Sequence, residues 1–171
     1  MRARAFRPLQ RGVSLIELMT AIAVFTILTV MAFPVYTTWI ANQQVRTATE
    51  SVVEGLRVAQ TEALKRNAAV KFVLDTGTGW EVQLDADDSV LRKTAFAEGS
   101  AKVALTVAPV GTSTILFDGL GRPLDKDAVR FTKRVTIDVD SSASITDVRK
   151  MRIVIDTAAA TGVGIRTCDP K

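Results

Sequence analysis

Apolar and polar positions divide the chain into three regimes. From Leu18 to Val45 no residue is charged, a run of 28 positions. As a helix it would reach roughly 42 Å at ~1.5 Å per residue, against about 30 Å for the hydrocarbon core of a bilayer. Its most apolar part, "LMTAIAVFTILTVMAF", ends at Pro34, whose missing N–H and ring predict a kink or a loosened turn. Thr20, Thr26 and Thr29 are expected to bond their hydroxyls to carbonyls one turn earlier. Farther on, Val45, Ala48, Val52, Leu56, Ala59 and Ala63 recur at spacings of three and four with charges between them, which predicts an amphipathic helix. Arg46 with Glu50, Glu54 with Arg57 and Glu62 with Arg66 are spaced to pair on its solvated face, and Asn67 is a stop signal.

After Asn67 the period changes from 3.6 to 2. The runs "VKFVL", "WEVQL", "VLRKTAF", "KVALTV", "TILF", "RFTKRVTIDVD", "MRIVID" and "GVGIRT" read as strands, the first three separated by "DTGTG" and "DADDS" at hairpin distances. A helix followed by seven or eight antiparallel strands predicts an α+β fold, with the amphipathic helix covering one sheet.

Charge and cysteine usage narrow the function. The formal charge of +4 over 171 residues is accounted for by Arg2, Arg4, Arg7 and Arg11, which precede Gly12 with no acidic residue among them; the rest is neutral. Arginines directly before an apolar run hold an N-terminus in the cytoplasm, so the remainder is expected to face outward. The single Cys168 excludes an intramolecular disulfide and a cysteine-rich metal site. There is no histidine, no GxSxG and no metal-ligand spacing, and the two glycines of "TGVGIR" are wrongly spaced for a dinucleotide fingerprint. No enzyme and no cofactor are expected.

Glu17 is the anomaly. A carboxylate beside a membrane run costs about 2.5 to 3.5 kcal/mol if ionised within lipid. A cleaved secretory signal would place its cleavage site after the apolar run, and a plain anchor leaves Glu17 unexplained; a carboxylate at the interface, or a protonated one, is the bland alternative. "RG" followed by "VSLIEL", a long apolar helix and Pro34 resembles the type IV pilin signature. The resemblance implies that a prepilin peptidase cuts between Gly12 and Val13 and methylates the new N-terminus. It also implies that Glu17 pairs with the terminal amine of a neighbouring subunit in a filament, offsetting desolvation at short range.

"VRTATESVVEGLRVAQTEALKRNAAV" with a mid-chain "FDGLGRP" is similar to the GspH/FimT group of minor pilins and pseudopilins. That resemblance implies a leader at 1–12, a transmembrane and assembly helix at 13–41, an amphipathic helix at 42–67 and a β-rich globular domain at 68–171. It further implies residence in a bacterial inner membrane with the globular domain in the periplasm, then assembly near a filament tip. The partners implied are other pilins or pseudopilins, the prepilin peptidase and membrane lipid, in either a type II secretion system or a type IV pilus. Within "FDGLGRP", Asp118, Gly119, Gly121 and Pro123 read as turn formers. The alternative function is DNA capture. Some FimT-type pilins carry GRxR shortly before a cysteine; the matching window here is Val163, Gly164, Ile165 and Arg166, with glycine in place of the first arginine. Arg149, Lys150, Arg152 and Arg166 are the candidate DNA contacts, for weak, salt-sensitive binding, and their alternative role is to guard a strand edge.

Overall fold

The computed structural model describes residues 12–75, 77–94, 102–125, 127, 134–143, 148–156 and 164–169. The chain divides into two units, 1–37 and 38–171. One helix, α1 (Leu15–Arg66, 52 residues), continues across Pro34 and contributes to both. Proline removes its own N–H from the ladder and its ring crowds the carbonyl one turn earlier, yet the helix runs on through it, and the Pro34 carbonyl accepts a bond from the Thr37 hydroxyl at 2.9 Å.

In the first unit every side chain from Gly12 to Tyr36 is exposed. The three threonines bond back as expected, Thr20 Oγ1 to the Glu17 carbonyl (2.9 Å), Thr26 to Ile22 (2.8 Å) and Thr29 to Phe25 (2.8 Å). This neutralises their hydroxyls in a stretch of mean hydropathy 2.2. The segment has the length and composition to cross a bilayer.

In the second unit α1 is followed by β1 (Val70–Leu74), β2 (Trp80–Leu84), β3 (Val90–Thr94), β4 (Val103–Ala108), β5 (Thr114–Phe117), β6 (Pro123–Leu124), β7 (Val135–Ser141), β8 (Met151–Asp156) and β9 (Gly164–Cys168). All pairings are antiparallel, in two sheets ordered β3-β2-β1-β5-β6 and β4-β7-β8-β9. Ala95, Phe96, Phe131 and Lys133, assigned to strands by their alternation, lie outside the described residues. The fold is the expected α+β arrangement of a long helix packed on antiparallel sheets, and α1 reaches both of them: a single core joins Val45, Val52, Leu56, Ala59 and Ala63 of α1 to Phe72, Trp80 and Ile115 of one sheet and to Ile137, Val139, Ile153 and Ile155 of the other. Thr49, Val53 and Gly55 are buried as well, so the arc α1 covers is wider than its apolar periodicity.

Gly55 is what lets α1 approach the first sheet. A Cβ there would lie 2.7 Å from Phe72 Cε2 and 2.7 Å from Trp80 Cδ2, so both rings pack on bare helix backbone. Trp80 is held in that position by its indole N–H, which donates to Ser51 Oγ at 2.9 Å. The helix ends where Asn67 turns left-handed at φ 48°, a conformation asparagine tolerates. Of the three ion pairs expected on α1, Arg46–Glu50 (2.8 Å) and Arg66–Glu62 (3.0 Å) form. Glu54 instead takes Arg92 of β3 at 2.9 Å, because the sheet brings a guanidinium to it.

"FDGLGRP" is a β5–β6 hairpin, and its two-residue strand is too short to leave a period in the sequence. Asp118 organises it: its carboxylate accepts from the backbone N–H of Leu120 (3.0 Å) and of Arg122 (2.8 Å) and from Arg122 Nε (2.7 Å). Burial pushes this carboxyl up, but the Arg122 backbone N–H, the Arg122 guanidinium and the Leu120 N–H together hold it below the usual carboxylate range. Gly121, at φ 72°, supplies the left-handed turn residue, and its carbonyl accepts from Gln60 Nε2 at 3.1 Å. The hairpin is thereby fastened to the last turns of α1.

Candidate functional site

Gly12 and Val13 precede the helix and are exposed, and among the described residues no neighbour crowds Gly12. A peptidase acting on this bond would meet no folded obstacle among the described residues. Ser14 and Glu17 then occupy the cap and third positions of α1, the spacing of a capping box, and Leu18 N–H closes the first turn on the Ser14 carbonyl at 3.1 Å. A carboxylate there complements the helix N-terminus, a local role that the sequence reading missed although "SLIE" spells it. Among the described residues Glu17 has no ion-pair partner. Around it Val13, Leu15, Ile16, Leu18 and Met19 are 57% or more exposed. The arrangement is an apolar surface with one carboxylate at its head and no ion-pair partner for it among the described residues.

The C-terminal candidates are separated by the register of the second sheet. Lys150 pairs with Asp140 at 2.6 Å, and the Arg152 guanidinium makes a fork on Asp138, with Nε to Oδ1 at 2.5 Å and Nη2 to Oδ2 at 2.8 Å. The Arg152 hydrogen bond, against some desolvation, holds the Asp138 carboxyl below the usual range, and Asp140 likewise raises the Lys150 ammonium. Arg134, just before β7, reaches Asp156 of β8 at 3.8 Å. Arg166 stands opposite Val154 on that outer face and lies back over Gly164, its Nε 3.3 Å from where a Cβ would be. Arg149 is elsewhere. Its backbone N–H donates to Asn42 Oδ1 at 2.9 Å, and it lines a polar cavity with Arg46, Glu50, Thr167 and Asp169.

The four cations therefore do not form one basic patch. Lys150, Arg152 and Arg166 share a face, two of them already neutralised, and Arg149 serves another surface. Counting charge along the sequence overstated the patch because the aspartates of β7 face the cations at and just before the start of β8. Cys168, a free and exposed thiol, lies opposite Arg152. Among the described residues no cluster of three or more metal-ligating side chains occurs.

Residues 48–159 match the family described as type II transport protein GspH, and residues 7–33 match the prokaryotic N-terminal methylation motif. Two crystal structures of the type IV minor pilin FimU from Pseudomonas aeruginosa strain PAO1 are similar in fold. One has a TM-score of 0.56 at 17% identity over 75% of this chain and 90% of the FimU chain. The other has a TM-score of 0.52 at 17% identity over 71% and 91%. No curated protein sequence matches significantly.

Proposed function

The chain belongs to the type II transport protein GspH family, and from that premise we propose that it is a non-enzymatic minor subunit near the tip of an inner-membrane-assembled filament. The filament is a type II secretion pseudopilus or a type IV pilus. The observation that carries this reading is the uniformly exposed apolar segment of α1, headed by Glu17 with no ion-pair partner among the described residues. Exposed apolar area of that extent needs lipid before assembly and other helices after it. In this proposal a prepilin peptidase cuts after Gly12, the new Val13 amine is methylated, and Glu17 of an incoming subunit meets the terminal amine of a neighbour. The globular domain lies in the periplasm.

Processing tests the proposal first. Mass analysis of the chain from cells with a prepilin peptidase should find Val13 at the N-terminus, carrying one methyl group. An intact Met1 would contradict it.

DNA capture is the alternative. It rests on Arg166, since Lys150 and Arg152 are engaged by Asp140 and Asp138, and a single cation on an open face supports only weak contact with phosphates.

A further inference from the structure

A β-sheet edge left unguarded invites pairing with another chain, and the two sheets expose four edges among the described residues. Three carry the usual defences. β3 presents Arg92 and Lys93 and faces a register shift between Val82 and Gln83. β6 is two residues long and opens on Pro123. β9 carries Arg166 and opens on Gly164. The fourth, β4, reads Val-Ala-Leu-Thr-Val-Ala: six residues without a charge, a proline or a bulge.

The register fixes which backbone groups of β4 are free. Ser142 N–H bonds to the Lys102 carbonyl at 2.9 Å, so these directly opposed residues form a hydrogen-bonded pair. Such pairs alternate along an antiparallel ladder. Ala104 with Asp140, Thr106 with Asp138 and Ala108 with Thr136 therefore bond across to β7, and the N–H and C=O groups of Val103, Leu105 and Val107 point away from it. No backbone partner for these groups occurs among the described residues. They open onto a groove of about 680 Å³, lined on the strand side by Val103, Leu105 and Val107 and on the far side by Leu74, Gly111 and Ser113. At ordinary strand and sheet spacings each residue of a strand occupies roughly 160 Å³, so the groove has room for about four residues of one added strand.

We propose that the free edge of β4 takes one extended segment, of about four residues, from a different subunit of the same filament. The alternating donors and acceptors match only another extended backbone. The apolar floor formed by Val103, Leu105 and Val107 selects small or apolar side chains at alternate positions of that segment. The far side of the groove favours a free segment over the edge of a second folded copy, whose neighbouring strands would meet Leu74, Gly111 and Ser113. The inference rests on the filament reading above.

Amide hydrogen exchange of the full-length chain tests both and separates them. It is measured alone in detergent micelles at two concentrations and again after incorporation into filaments made with the other subunits of its own system. Alone, Ala104, Thr106 and Ala108 are protected while Val103, Leu105 and Val107 exchange freely. In filaments the second set slows by roughly tenfold or more, as newly bonded amides do. Val107→Pro deletes an outward N–H without touching the bonds to β7, and Thr106→Lys adds a guarding charge on the exposed face. Either, while the even-numbered amides remain protected, lowers incorporation at least severalfold. Incorporation with no change at the odd-numbered amides overturns the inference and leaves the filament reading standing. Failure of the unmodified chain to enter filaments overturns the filament reading itself. Protection that grows with concentration in the isolated chain assigns the edge to a second copy, and protection at every dilution assigns it to the chain itself; each overturns the proposal.

Discussion

Replacing Gly55 by alanine sets two effects of opposite sign against each other, and the structure decides between them. In a helix interior alanine is favoured over glycine by about 1 kcal/mol. Here the added Cβ would lie 2.7 Å from Phe72 Cε2 and 2.7 and 2.8 Å from Trp80 Cδ2 and Cε2, where carbon atoms prefer about 3.5–4.0 Å. Two rings must retreat by about 1 Å, and neither is free to do so. Phe72 is fully buried and Trp80 is 2% exposed, their centroids are 6.0 Å apart, and the indole is tethered to Ser51. Overpacking of a filled core costs about 1–3 kcal/mol, and three short contacts on two rings place the cost at the upper end. The net expectation is a loss of about 1–2 kcal/mol. Denaturant unfolding followed by tryptophan fluorescence measures it, with Trp39, the only other tryptophan, replaced by phenylalanine. In a Trp80→Leu background, where only the Phe72 contact at 2.7 Å remains and the ring can move into the space the indole leaves, the same substitution should cost less. A Gly55→Ala chain as stable as the parent, or more so, would refute the packing of Trp80 on the α1 backbone.

Asp118→Ala should destabilise the globular domain by about 1–3 kcal/mol through loss of the hairpin's hydrogen bonds. Because the folded carboxyl is held below its ordinary value, that contribution is present above the unfolded pKa of about 3.9 and lost as pH falls through the folded one. An acid-unfolding curve of the variant lacking this part of the pH dependence is the check. Glu17→Gln retains a capping-box side chain but no charge, so it should leave membrane insertion intact and reduce filament incorporation, scored by membrane fractionation and filament shearing; equal incorporation would assign Glu17 to the helix N-terminus alone. DNA affinity of the globular domain should be weak at physiological salt, with Arg166→Ala removing roughly one unit of the log–log salt slope. A salt-resistant complex that survives Arg166→Ala would place DNA at another site.

The inward face of α1 was legible because Val45, Ala48, Val52, Leu56, Ala59 and Ala63 bury at helical spacing, and a one-dimensional period carries that information. "VKFVL", "WEVQL", "TILF" and "MRIVID" were legible as strands by the same reasoning. What stayed hidden depends on pairings distant in sequence. The division into two sheets turns on β4 leaving its predecessors to join β7, and no local period records which strand becomes its neighbour. Gly55 reads as a weak point in a helix until Phe72 and Trp80 are known to meet it. The basic C-terminal segment looked like a patch because Asp138 and Asp140, far back in sequence, were not yet opposite Arg152 and Lys150. At the N-terminus the methylation motif was legible because it is linear and lies within residues 7–33.

The filament claim is tested most directly by the chain's abundance in filaments sheared from cells, quantified by mass spectrometry with and without the prepilin peptidase. The account predicts a chain beginning at Val13 in the sheared fraction, in far smaller amount than the major subunit, and none there when the peptidase is missing. A chain that remains in the membrane fraction with Met1 intact, in cells whose major subunit is processed and assembled, would contradict it.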